Sequence, residues 1–440
     1  IIEQRIWFIP GKRVLCLGWT LVQPPDRQIA LDIALLCNDR DHHGETRAGA
    51  RADLSTGMRE GHLCLLQGGK PRLFFASAHG QFRADVAWYQ DFFLPLEQAR
   101  GLPAREDHFR VGYFHLDLQP NRTLGLSASC DNPAAPIDLD GALTQRRTCD
   151  GNHIQHAMLC THGYAGAPDW IRQLLIDGDR FLVHRAMPRA SSSPPTEFPY
   201  WNDRSELAEG ATVVAGYPWF SDWGRDTFIA LPGLTLATGR YVVARRILET
   251  WAHFIRDGLL PNMLPETGIE AEYNSADAAL WYIEAWRAYY QHTQDLAALR
   301  HALPVLKTIA VAYTRGTLYG IGLDQADGLL RAGEPSSQLT WMDARIEGVP
   351  ATPRSGKPVE INALWYNALR TLERFAALSG EDPSPWTDAA DRARAGFARF
   401  VRPNGGLYDV LDGPGGDDSC VRPNQIFAVS LSHSPLERAI

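Results

Sequence analysis

Along residues 1–140 apolar positions come in short runs broken by Gly, Pro, Asn and Asp, the rhythm of strands and turns. The runs Val14–Val22, Ile29–Cys37, Leu63–Gln67, Leu73–Ala76, Phe109–Leu118 and Leu124–Ser129 predict strands. Phe114-His115-Leu116-Asp117-Leu118 alternates apolar and polar residues, as a strand with one buried face does. A helical segment near 88–106 is expected between them. From about 150 the period becomes helical. Val243, Ile247, Trp251 and Phe254 share one face of a helix over 240–257, and Gly258 is placed to stop it. Asn274 or Ser275 can cap a helix carrying Leu280, Ile283 and Trp286 on one side. Further helices fit 167–184, 296–313, 359–379 and 386–400. No strand run and no strict repeat intervenes, which predicts an all-α toroid or solenoid rather than a TPR or HEAT array. The expectation is a β-sandwich domain over 1–145 and a domain of helices only over 150–440, with a surface loop at Ser191–Pro195.

Length and composition narrow this picture. A chain of 440 residues exceeds one ordinary core and predicts two or three domains. The net charge is −8 with both signs mixed along the chain, which argues against nucleic acid and suits a neutral substrate. The seven cysteines (16, 37, 64, 130, 149, 160 and 420) are odd in number, irregularly spaced and without a CxxC. They read as free thiols in a reducing cytosol. No signal-like segment and no apolar run of about 18 residues is seen, so neither export nor a membrane span is expected. Both ends read as cut: the first methionine is Met58, and 435–440 reads like a helix start. Thirteen tryptophans are many for this length, and several stand beside acidic or amide residues. An indole face suits a sugar ring, although each indole alone is more simply core.

Polar and aromatic residues crowd into three loop clusters. The first, Trp219-Phe220-Ser221-Asp222-Trp223-Gly224-Arg225-Asp226-Thr227, suits a sugar subsite, and Asp226 equally suits the first turn of a helix. The second runs from Pro261-Asn262-Met263 to Glu272-Tyr273-Asn274-Ser275-Ala276-Asp277, where Asp277 can face the same opening as Asp226. The third holds Glu334, then Trp341-Met342-Asp343-Ala344-Arg345, then Arg354-Ser355-Gly356-Lys357-Pro358-Val359-Glu360. Cleaving a glycosidic bond needs a protonated carboxyl for the leaving oxygen and a second carboxylate to activate water or attack the sugar. A nearby indole raises the acid's pKa by desolvation. His42-His43 reads as a solvated loop rather than a metal site, and no HExxH, GxSxG, P-loop or Rossmann pattern is present in context.

The stretch Gly216-Tyr217-Pro218-Trp219-Phe220-Ser221-Asp222-Trp223-Gly224-Arg225-Asp226-Thr227-Phe228-Ile229-Ala230-Leu231-Pro232-Gly233-Leu234 closely resembles the amylo-α-1,6-glucosidase part of glycogen debranching enzymes. The likeness continues at Gly258–Asn262, Tyr273–Ala278, Leu339–Ala344, Thr352–Trp365, Leu407–Val410 and Arg422-Pro423-Asn424-Gln425. Residues Trp88-Tyr89 and Glu97–Leu102 resemble the β-domain that precedes the barrel in bacterial and archaeal members.

The resemblance implies an (α/α)6 barrel, release of the single glucose left on an α-1,6 branch, inversion at the anomeric carbon, and no cofactor. Through a more distant likeness to trehalases and glucoamylases it implies Asp343 as general acid. It places the general base near the end of the barrel, expected beyond Ile440, the chain holding fewer helices than a closed barrel needs. Trp219, Trp223, Arg225, Asp226, Asn274, Asp277, Glu334, Trp341, Lys357 and Glu360 are the expected sugar-binding residues, with Glu360 sugar-binding or structural. An α-glucan is the expected partner. Another barrel α-glucosidase, a disaccharide hydrolase or phosphorylase, and a non-catalytic glucan-binding protein are the alternatives.

Overall fold

The computed structural model describes residues 1–436 apart from 24–27, 42–43, 50–52, 60–61, 134, 165, 187–208, 265–269 and 335–336. The loops expected at His42-His43 and Ser191–Pro195, and most of the helix start at 435–440, lie outside the described residues. The chain divides into two compact units, 1–155 and 156–440.

The first unit holds β1 (Ile2–Phe8), β2 (Val14–Leu21), β3 (Ala30–Cys37), β4 (Leu54–Arg59), β5 (His62–Gln67), β6 (Lys70–Ala76), β7 (Gln81–Arg83), β8 (Ala87–Phe93), β9 (Arg105–Asp117) and β10 (Thr123–Ser129). One sheet runs β1-β2-β10-β6-β5-β4; in the other, β9 pairs with β3, β7 and β8. Leu63, Leu65, Phe75 and Leu126 of the first sheet meet Leu35, Phe109, Val111 and Phe114 of the second, which makes the expected sandwich core. The six predicted strands are all present. The pattern missed edge strands β1 and β4. In β1 it is Ile6 and Phe8 that face solvent while Trp7 is buried, so hydrophobicity does not mark the inner face. The helix expected near 88–106 is a correction: only α1 (Pro95–Ala99) is helical, between β8 and β9. A bulge between Tyr89 and Phe92, with Asp91 at φ +59°, breaks the alternation that would have marked β8.

The helix α2 (Leu139–Cys160) closes the first unit and enters the second. There follow α3 (Asp169–Asp179), the hairpin β11 (Leu182–Ala186) and β12 (Glu209–Val213), α4 (Gly224–Leu231), α5 (Tyr241–Ala252), α6 (Ala278–Thr293), α7 (Leu296–Arg315), α8 (Val359–Ser379) and α9 (Ser384–Phe397). Helices only was too simple. Short antiparallel pairings also lie at 322–331, 345–350 and 357–418, between helices, where isolated two-residue strands give no periodic signal. Helix α5 stops at Ala252, before the predicted 257. Asp257 (φ +50°) and Gly258 (φ +75°) instead form a tight hairpin in which Arg256 and Leu259 exchange backbone bonds, so Gly258 serves a turn and not a helix end.

One large core joins these helices: Phe228, Ile247, Trp251, Tyr282, Trp286, Leu306, Ile309, Leu364, Trp365 and Phe375 are all at most 2% exposed. Its aromatic rings meet edge to face, Phe228 against both Trp251 and Tyr282 at 5.2 Å. Helix α7 is long and apolar enough to cross a membrane by length and composition, and half of that stretch is buried in this core. None of the seven cysteines forms a disulfide among the described residues.

Candidate active site

Backbone hydrogen bonds stitch the motif loops together at one place. Gly224 N donates to Asn262 O (2.9 Å), Leu264 N to Asp222 O (3.1 Å), Asn262 N to Glu272 O (2.9 Å) and Ala276 N to Leu339 O (2.8 Å). Residues some 120 positions apart in sequence thereby share one floor. Arg185 Nη1 lies 2.7 Å from both oxygens of the buried Asp222 and pins the first loop. A Cβ on Gly224 would lie 3.0 Å from Pro261 O and 3.2 Å from the Trp251 ring, so α4 starts that close to its neighbours only because this residue is glycine.

Arg225, in the first turn of α4, reaches across to Asp277 at the start of α6 with Nε at 2.5 Å and Nη2 at 2.9 Å. Ser275 Oγ donates to the same carboxylate at 2.7 Å and accepts from Ala278 N, the first residue of α6; the N-cap position itself is Asp277 and not the expected Asn274 or Ser275, and its carboxylate is held from three directions. The other side of the guanidinium, Nη1, is 3.8 Å from Asp343 Oδ2. Arg225 and Asp277 are 12% and 2% exposed in their side chains, whereas Asp343 is 36% exposed. Burial works against the Arg225 charge, but Asp277, Asp343 and Asp226 outweigh it and hold its pKa above the ordinary value. Burial pushes the Asp343 carboxyl up; Arg225 pulls it down, Asp277 and Asp226 push it further up, and the net shift is upward. Asp226 is an exposed residue in the same acidic crowd, and desolvation of its carboxyl with the charge of Asp277 outweighs Arg225 and raises its pKa too. The cluster therefore offers a carboxyl that keeps its proton to higher pH than usual, next to a fixed ion pair.

Trp223 pairs its backbone with Met263, meets Phe220 edge to face at 6.4 Å, and is half-buried with its Nε1 unbonded among the described residues. Asn274 donates to Glu272 at 3.1 Å, and its buried Oδ1, like Ser221 Oγ and Asn262 Oδ1, has no partner among the described residues. Buried polar atoms left unbonded are rare and mark places where a polar ligand or water completes the set. Trp219 is half-buried in the turn closed by the bridge between Gly216 and Phe220. Trp341 is 42% exposed and donates its Nε1 to Asn424 Oδ1 at 2.6 Å.

Two expected sugar-binding residues, Lys357 and Glu360, are bonded into networks of their own, and Glu334 makes no side-chain bond to this cluster among the described residues. Lys357 is 1% exposed, with its ammonium 2.7–2.9 Å from carboxylates of Asp324, Asp327 and Asp412. Those carboxylate oxygens are close enough together to hold a metal ion, and the ammonium bridges them instead. Arg399 joins the group and, with Lys357, holds Asp412 well below the ordinary carboxylate range. Glu360 is buried against Arg354, which also bonds Asp409 at 2.8 and 3.0 Å and Thr340 Oγ1 at 3.2 Å. That network is sealed, and Arg354 is held above its ordinary value because Glu360 and Asp409 outweigh the cost of burial. Glu334 is exposed, and its backbone carbonyl accepts from Ser337. Sequence reasoning passed over Ser221, Asn262, Ser275 as an Asp277 partner, and Asn424. All stand inside the recognised motifs, and what distinguishes them is the bonds of Ser275 and Asn424 and the unbonded buried oxygens of Ser221 and Asn262 among the described residues.

A family model described as amylo-alpha-1,6-glucosidase matches residues 177–440, and one described as glycogen debranching enzyme N terminal matches residues 1–124. The glycogen debranching enzyme of Saccharomyces cerevisiae is 29% identical over 218 residues, which cover 36% of this chain and 14% of that protein. The matched stretch is thus a small part of that relative. Among solved structures, the GH78 family rhamnosidase of Bacillus sp. GL1 aligns at 12% identity over 97% of this chain and 36% of that chain, with a TM-score of 0.43. The GH63 mannosylglycerate hydrolase from Thermus thermophilus in complex with glucose aligns at 16% identity over 50% of this chain and 67% of that chain, with a TM-score of 0.38.

Proposed function

The chain belongs to the amylo-alpha-1,6-glucosidase family, and from that premise we propose that it removes single glucose residues from α-1,6 branch points of glycogen-like glucans with inversion. The helical domain is proposed to be part of an (α/α)6 barrel, working without a cofactor in the cytoplasm. The observation that carries the reading is the setting of Asp343. It is half-buried, its pKa is raised by burial and by two neighbouring carboxylates, and it lies 3.8 Å from an arginine already committed elsewhere.

In this reading the Asp343 carboxyl donates its proton to the oxygen leaving the anomeric carbon. The Arg225–Asp277 pair and Asp226 hold hydroxyls of the terminal glucose, while Trp223 and Asn274 complete its polar contacts and Trp219 and Trp341 offer aromatic faces. Inversion needs a second carboxylate about 6.5–9.5 Å from the acid, with a water between it and the sugar. Asp277 is committed to Arg225 and Ser275, and Asp226 is held toward its protonated form, so the role of base is given to neither.

Products from phosphorylase-limit dextrin, isomaltose-type oligosaccharides and trehalose test the reading. Free glucose from the dextrin, appearing first as the β-anomer by NMR, is expected. Cleavage of trehalose alone, phosphate-dependent release, or α-glucose as first product would each overturn it.

A further inference from the structure

Asn424 is 0% exposed and bonds three groups that flank or support the loop bearing Asp343. Its Oδ1 accepts the Trp341 indole N–H at 2.6 Å. Its Nδ2 lies 3.6 Å from Met342 Sδ and donates to Asp409 Oδ1 at 2.6 Å. Asp409, 2% exposed, is gripped by Arg354 and by Arg422 at 2.8 Å, and Arg354 also bonds Thr340 Oγ1. The three residues preceding Asp343, namely Thr340, Trp341 and Met342, are thus each tied to one buried assembly of two arginines, two carboxylates and an amide. Asp343 itself takes no part in it; the charged groups facing its carboxyl are Arg225, Asp277 and Asp226. Gln425 Oε1 accepts from Leu407 N at 3.1 Å and fixes the segment that presents Asn424.

We infer that Asn424 is a positioning residue, which holds the Trp341-Met342-Asp343 loop so that the acid's carboxyl stays beside Arg225 and partly shielded from water. This rests on the reading of Asp343 as general acid. An amide suits the place because it presents an acceptor to the indole and a donor to Asp409 at once. Aspartate would set two carboxylates against each other, and alanine would leave the Trp341 indole N–H without its acceptor and take from Asp409 one of its donors. A loop released by a fraction of an ångström misplaces the proton donor, and misplacement of about 1 Å costs roughly 100-fold in rate.

The test compares Asn424→Ala with Asn362→Ala in the intact enzyme, both read as kcat, KM and the pH profile of kcat. Asn362 is equally buried and makes three bonds, to Leu330 N, Leu330 O and Pro358 O, none of them to this loop. Asn424→Ala is expected to lower kcat roughly 10–100-fold with KM nearly unchanged. It should also move the alkaline limb to lower pH, because a freed Asp343 is better hydrated and ionises sooner. Asn362→Ala should lower the unfolding midpoint and leave that limb in place. Trp341→Phe removes the indole donor and keeps a smaller aromatic face on an exposed side chain, so kcat and the pH limb rather than KM keep the test decisive if Asn424→Ala does not fold. Its loss of kcat should be smaller, its limb should move the same way, and in the double variant the two losses should not add. Additive losses, or a Trp341→Phe limb that stays in place, would overturn the inference and leave the acid assignment standing. Full activity in Asp343→Asn would overturn both.

Discussion

The carboxylate–guanidinium assemblies around Arg354 and around Arg225, both in the helical domain, differ in closure more than in composition. Around Arg354 every partner is sealed: Arg354, Glu360 and Asp409 have side chains 1–2% exposed and their charges are answered by short bonds. Around Arg225 the pair with Asp277 is equally tight, but one guanidinium edge is left facing Asp343 at 3.8 Å, and that carboxyl reaches solvent. A sealed assembly spends its polarity on the fold. An open one leaves a raised-pKa acid and unbonded indole and amide groups where a sugar can meet them. Lys357 teaches the same lesson, since an ammonium bonded to three carboxylates has no donor to offer a ligand.

The largest effect should come from breaking the sealed side. Arg354→Ala strands Glu360 in the interior and leaves Asp409 to Arg422 and Asn424, and losing one partner of a buried ion network costs about 3–5 kcal/mol. Denaturant unfolding should show that loss. A change under about 1 kcal/mol would mean that the network is not closed in solution.

Asp277→Asn acts on both sides of the comparison. It removes the charge that faces Arg225 and should cost about 3 kcal/mol of stability. It should also weaken oligosaccharide binding, because the arginine loses its orientation. Unchanged binding by calorimetry would remove Asp277 from the sugar site.

Much of this was legible in the sequence and some was not. The interior strands β2, β5, β6 and β10 and the long helices α7 and α8 were legible because burial of one face imposes a period on their residues. Edge strands β1 and β4 and the bulged β8 were not, since exposure and an inserted residue erase that period. The acid cluster was legible as a set of residues, with Arg225, Asp226, Asp277 and Asp343 meeting as expected. Which charged residues belonged to it was not legible. Lys357 and Glu360 carry the same chemistry as Arg225 and Asp277, and only the fold decides that Asp324, Asp327 and Asp412 or Arg354 consume it.

The smallest effect is expected at Glu334, which is exposed and, among the described residues, makes no side-chain bond to either assembly. Glu334→Ala should change stability by less than about 0.5 kcal/mol and leave oligosaccharide affinity as it is. A tenfold weaker affinity would bring Glu334 into the open site.

The most direct test of the central claim is Asp343→Asn in the intact enzyme, followed by glucose release from an α-1,6-linked substrate and by binding of the same oligosaccharide. The folded-state pKa of Asp343 is raised, so its ionisation at higher pH works against the fold, and the neutral amide should not lower stability above that range. In the wild type, activity should fall as pH rises through that raised pKa, because the proton to be donated is lost there. The variant should lose kcat by roughly 100-fold or more while binding stays largely intact, since it removes a proton donor and little contact area. Near-normal hydrolysis by Asp343→Asn, with the alkaline limb unmoved, would contradict the account and move the acid to Asp226.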